Sequence, residues 1–133
     1  MSEAPRPEFR NIHVTQLANY RLPLAGIVSI LHRVSGLVMF LLIPFILYLL
    51  ENSLTSENTF DYFKGYTQYP LVKLFILALS WSYLHHFCAG IRHLLMDFHL
   101  GLDKESSKNS AVAVFAVSLP LAGLVALKLF GVF

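Results

Sequence analysis

Three observations predict an all-α integral membrane protein. Hydrophobic residues make up 56% of the 133-residue chain, and its mean hydropathy is +0.59. Charged residues make up only 14%, against about 25% in ordinary soluble domains. Three apolar stretches each reach the roughly 20 residues that a helix rising about 1.5 Å per residue needs to cross a hydrocarbon core of about 30 Å. Three such helices, each giving a face to lipid, form a small bundle but enclose little, so completion by partner chains is expected. The chain, 1–133, reads as a single membrane domain.

The N-terminal residues hold Glu3, Pro5, Pro7 and Glu8 and lead into no short apolar run with a small-residue cleavage site. Neither a secretory signal nor an Arg- and Ser-rich, acid-poor import leader is expected there, which favours a bacterial or organelle-encoded protein. The first span is placed at residues 27–50. The linker 51–70 holds Ser, Thr, Asn and Tyr with Glu57, Asp61 and one base, Lys64, and reads as a short external loop. Pro70 stands where a helix can begin, and the second span is placed at 71–96. The third, at 111–129, follows a connection, 97–110, that carries Lys104 and Lys108. Arg6, Arg10 and Arg21 precede the first span. Basic residues gather on the inner side of a membrane, so the N-terminus and the second connection are placed inside, and the first loop and the C-terminus outside, in the periplasm of a bacterium. Lys128 can snorkel from the outer end of the third span. The single cysteine, Cys88, permits no internal disulfide. No repeat, phosphate-binding glycine loop or nucleic-acid signature is present, and the formal net charge of +2 is used mainly for orientation.

Polar residues inside such spans are costly, about 2.5–3.5 kcal/mol for a central arginine on insertion scales, and so mark functional places. In the first span Ser29, His32, Arg33 and Gly36 recur at i, i+3, i+4 and i+7, one helical stripe near the inner end. The plain structural account is that Arg33 snorkels, Ser29 bonds to its own helix and Gly36 permits close packing. The functional account is that hydroxyl, imidazole and guanidinium face a protein interior and donate hydrogen bonds to a quinone carbonyl or to haem propionates.

In the second span His86, Gly90, His93 and Asp97 form another stripe, with Gly90 leaving room for a flat group such as a haem edge. His85 pairs with Arg92 on the neighbouring stripe and reads as a packed, hydrogen-bonded residue between helices, while His99 lies beyond the span, at the interface. Two axial imidazoles of one haem end about 4 Å apart, by the roughly 2 Å metal–nitrogen distance. His86 and His93 are about 10.5 Å apart along the helix axis and cannot both bind one iron. The third span has no His, Met or Cys. A second ligand would therefore come from His32 or another chain. Counting helical rise places His32 about 7 Å nearer the inner surface than His86, which favours another subunit.

The runs Ser29-Ile30-Leu31-His32-Arg33-Val34-Ser35-Gly36 and His86-Phe87-Cys88-Ala89-Gly90-Ile91-Arg92-His93-Leu94-Leu95-Met96-Asp97 resemble the cytochrome b membrane subunit of succinate dehydrogenase, respiratory complex II. The likeness covers nearly the whole chain. It is poorer over residues 11–23, where the family often has Ser-Pro-His and this chain has His13 followed by Val14. The resemblance implies that His86 is the axial ligand of a haem b whose other ligand comes from a small membrane anchor subunit. It implies that Ser29 and Arg33 bind ubiquinone, that His32 and Arg33 meet haem propionates, and that His93 supports the haem pocket. It places FAD on a partner flavoprotein and iron–sulfur clusters on a partner iron–sulfur subunit, in a bacterial inner membrane. A menaquinone-linked fumarate reductase anchor is the alternative of the same architecture. A non-redox scaffold or transporter whose histidines relay protons or bind metal is the alternative from another class.

Overall fold

A computed structural model describes Thr15 and residues 20–132; His13 lies outside these residues. Among the described residues there are four helices and no strand. α1 spans Leu24–Thr55, α2 Glu57–Tyr66, α3 Pro70–Asp97 and α4 Lys104–Leu129. Three of them, α1, α3 and α4, are long and apolar enough to cross a bilayer.

Each long helix runs past its predicted span. α1 starts three residues earlier, directly after Pro23, whose carbonyl accepts from the Gly26 and Ile27 amides. It continues through polar residues because they serve the helix: the Asn52, Ser53 and Thr55 side chains donate to the carbonyls of Tyr48, Leu50 and Glu51 at 2.8–2.9 Å. The external loop expected at 51–70 is mostly helical. Ser56 caps α2, its Oγ accepting from the Thr59 amide, and Tyr62 and Tyr66 join hydroxyls at 2.7 Å. Its composition misled because a short helix with one polar and one aromatic side carries as many polar residues as a loop.

α3 opens with Pro70 at its first turn, where a missing N–H costs nothing. It ends in a turn where the Leu100 amide reaches the Leu95 carbonyl and the His99 amide reaches that of Met96. His99, at φ 62°, takes the left-handed position usually given to glycine. α4 begins seven residues before the predicted boundary, because the Asp103 carboxylate accepts from the Ser106 amide at 2.9 Å and starts the helix there. The second connection therefore shrinks from 97–110 to 98–103.

α3 packs on both α1 and α4, and α4 also touches α1. Val28, Ala89, Ala111 and Val114 form the core where the three meet. All four residues are small or β-branched on facing helices, which lets the backbones approach. Most other apolar residues are exposed.

Candidate functional site

α1 and α3 meet on their histidines. The His32 and His86 rings stack with centroids 4.1 Å apart and planes 15° from parallel. His93 approaches His32 from the other side, at 5.0 Å and 44°. His32 thus sits between two imidazoles that occupy one stripe of α3. The His32 imidazole packs against Gly90, where an added Cβ would stand 3.6 Å from its Nε2. His32 also lies level with His86, not about 7 Å below it. Counting from the span boundaries placed α1 too low, since the helix begins at Leu24, and assumed that both boundaries share one depth.

The orientation of His86 follows from two neighbours on α1. Its Nδ1 lies 3.0 Å from the His32 carbonyl oxygen and 3.2 Å from Ser35 Oγ. The Ser35 hydroxyl in turn donates to the same carbonyl at 3.0 Å. A carbonyl oxygen can only accept, so Nδ1 carries the proton and Nε2 keeps its lone pair. Among the described residues no hydrogen bond involves His86 Nε2. An imidazole held by Nδ1–H to a backbone carbonyl, with Nε2 free, is how histidine is presented to a metal. Gly36 makes the arrangement possible, since a Cβ there would come within 2.8 Å of His86 Cε1.

The rest of the first-span stripe turns away from this contact. Val28 and Ser35 are buried, while Ser29 is half-buried and Arg33 is exposed. Arg33 makes no hydrogen bond or ion pair among the described residues, and neither does the Ser29 side chain. Hydroxyl and guanidinium therefore stand at the rim of the histidine stack, on a face this chain does not cover. Two apolar grooves, of about 400 and 360 Å³, lie elsewhere and include none of His32, His86 or His93. Among the described residues no three His, Cys, Asp or Glu side chains could together hold a metal ion.

His85 and Arg92 share the opposite face of α3, toward α4. His85 is buried between the Trp81 and Phe115 rings, 5.6 and 5.3 Å away. Its packing agrees with expectation; among the described residues neither ring nitrogen makes a hydrogen bond of good geometry, although the Val28 backbone carbonyl lies near enough to act on the ring. Arg92, also buried, donates from Nε to Ser110 Oγ at 2.9 Å and from Nη2 to Ser107 Oγ at 3.0 Å. Asp97, a candidate partner for Arg92 or Arg21, is exposed instead.

Sequence reasoning passed over Ser35. The signal was present: a hydroxyl three residues after His32 falls on the same side of the helix, one turn further along.

The succinate dehydrogenase/fumarate reductase transmembrane subunit family matches residues 8–125. The chain is 35% identical over 112 residues to a succinate dehydrogenase cytochrome b556 subunit of Coxiella burnetii, covering 81% of this chain and 90% of that protein. A protein of the same description from Paracoccus denitrificans is 33% identical over 111 residues, covering 84% and 85%. A succinate dehydrogenase cytochrome b560 subunit of Porphyra purpurea is 34% identical over 93 residues, covering 68% and 74%.

Proposed function

The chain belongs to the succinate dehydrogenase/fumarate reductase transmembrane subunit family, and from that premise we propose that it is the haem b- and quinone-binding anchor of a succinate dehydrogenase in a bacterial inner membrane. The relatives' description as cytochrome b subunits of succinate dehydrogenase supports haem b and the oxidative direction. The observation that carries the reading is His86: its proton is committed to the His32 carbonyl on Nδ1, and its Nε2 is left as a ligand.

The donor set suits one half of a bis-imidazole haem site. His86 would hold the iron, and His32, Arg33 and His93 would face the propionates. His32 lies flat on His86, so its lone pairs run beside those of His86 and do not oppose them. His32 would therefore not share an iron with His86, and a second ligand would come from a small membrane anchor subunit. When bound, the haem supplies a one-electron carrier within the membrane.

Ser29 and Arg33 carry the quinone half. A hydroxyl and an unpaired guanidinium at the rim of the stack can donate to one oxygen of ubiquinone, and the guanidinium gains most as negative charge develops there. Succinate is oxidised on the flavoprotein, with FAD, and electrons arrive through the iron–sulfur subunit. This chain positions the acceptor and does no succinate chemistry.

Ser29→Ala and Arg33→Leu are expected to lower succinate:quinone reduction while sparing succinate oxidation by an artificial soluble acceptor. Equal loss in both assays would reveal misassembly and remove the quinone assignment. His86→Leu is expected to abolish or displace the haem b band in reduced-minus-oxidised spectra of the purified complex; an unaltered band would reassign the ligand.

A further inference from the structure

Resting on the reading of His86 as a haem ligand, we propose that Ser35 is a positioning residue that sets both the orientation of the His86 ring and its strength as a donor. Three atoms form a closed triangle: Ser35 Oγ to the His32 carbonyl at 3.0 Å, that carbonyl to His86 Nδ1 at 3.0 Å, and Nδ1 to Ser35 Oγ at 3.2 Å. Only one proton arrangement satisfies every edge. The Ser35 hydroxyl donates to the carbonyl, and the His86 Nδ1–H is shared between that carbonyl and the Ser35 oxygen.

Each element of the triangle is fixed independently. Ser35 is 7% exposed, so water does not compete well for its hydroxyl. The carbonyl belongs to the α1 backbone and cannot rotate. On the far side of the ring, His32 stacks at 4.1 Å and the Gly36 backbone closes on Cε1, so the imidazole has no room to swing. Removing the Ser35 oxygen takes away one of two acceptors for the Nδ1 proton and the group that braces the carbonyl.

The electronic consequence has a definite sign. A hydrogen bond accepted from the distal N–H of a ligating imidazole raises the basicity of the ligating nitrogen. A more basic ligand favours the oxidised metal, so an acceptor at Ser35 lowers the reduction potential of the group that His86 binds. Loss of that acceptor raises it. A hydroxyl that merely filled space would not move the potential in a fixed direction.

The test is a potentiometric titration of the haem b absorbance in the intact complex, purified from membranes, for the unaltered protein, Ser35→Ala and Ser35→Thr, with His86→Leu alongside. Ser35→Ala is expected to keep the band and to raise the reduced-to-oxidised ratio at least twofold at the unaltered protein's midpoint. Ser35→Thr, which restores a hydroxyl, is expected to return the ratio toward one. A Ser35→Ala titration superimposable on that of the unaltered protein would overturn the proposal, and so would a Ser35→Thr curve that stays with Ser35→Ala. His86→Leu separates the two ideas: a band surviving in it sinks the ligand assignment, whereas its loss beside an unmoved Ser35→Ala curve sinks the Ser35 role alone.

Discussion

The contact between Gly36 and His86 shows how much of this site rests on the absence of one methyl group. An alanine there would place its Cβ 2.8 Å from Cε1, closer than carbon atoms tolerate, so the imidazole must yield. It can move only by lengthening its bonds to the His32 carbonyl and Ser35. Gly36→Ala is therefore expected to deplete or shift the haem b band while the complex still assembles, checked by haem content per mole of purified complex. Gly90 tolerates the same change far better, since its added Cβ would reach ordinary van der Waals contact with His32 at 3.6 Å. A loss of haem in Gly90→Ala as deep as that in Gly36→Ala would contradict this ranking. His85, by contrast, is buried between aromatic rings with, among the described residues, only the Val28 backbone carbonyl near its ring nitrogens.

At the scale of elements, the helix ends are where local chemistry overrides hydropathy. α4 begins in polar residues because Asp103 captures the Ser106 amide, and Glu105 in the first turn favours the positive end of the helix dipole. The Ser106 backbone N–H, then its hydroxyl, hold the Asp103 pKa below its ordinary value of 3.8. A depressed folded-state pKa means that the cap's contribution is fully present above the unfolded value and is lost as pH falls through the folded one. Asp103→Ala is expected to lower the thermal stability of the complex at pH 7, with the gap to the unaltered protein closing as the pH is taken below 3.8. A gap that persists at acid pH would show that the carboxylate charge is not what caps the helix. On the other side of the bundle, the Tyr66 hydroxyl is pushed up in pKa, chiefly by its hydrogen bond to the Tyr62 hydroxyl.

For the whole molecule, the α3–α4 contact is clamped near the α3–α4 turn by a buried arginine that meets hydroxyls and, among the described residues, no carboxylate. Arg92 reaches two serines on α4, and hydrogen bonds to a charged group contribute about 1.5–3 kcal/mol. Arg92→Ala is expected to lower the stability of the assembled complex by a loss of that order, read as a drop in Tm in detergent. An unchanged Tm would place the clamp outside the energetics of the bundle. Because α3 also carries His86, loosening this end frees the helix that the haem side depends on.

The membrane class and the three long helices could be read from hydropathy alone, since bilayer thickness imposes a length that few soluble helices meet. The histidine stripes were legible for a similar reason: side chains on one helix obey a fixed angular period. What one helix's period does not encode is the depth of its neighbour. Hence counting rise sets His32 about 7 Å from His86, although the rings stack. Ser35 escaped notice because its role exists only once α3 is packed against α1. The surface helix α2 escaped for a different reason, its polar face resembling a loop until the aromatic residues are placed on one side.

That surface helix bears on the fit between protein and bilayer. At 32 residues α1 is about 48 Å long, well beyond a hydrocarbon slab of about 30 Å. The surplus must lean or protrude. α2, packed against α1 and rich in Tyr and Phe, has the composition that favours the headgroup level, so a thinner or thicker membrane would be absorbed as a change in lean near α2. The stacked imidazoles of His32 and His86, away from α2, would keep their level.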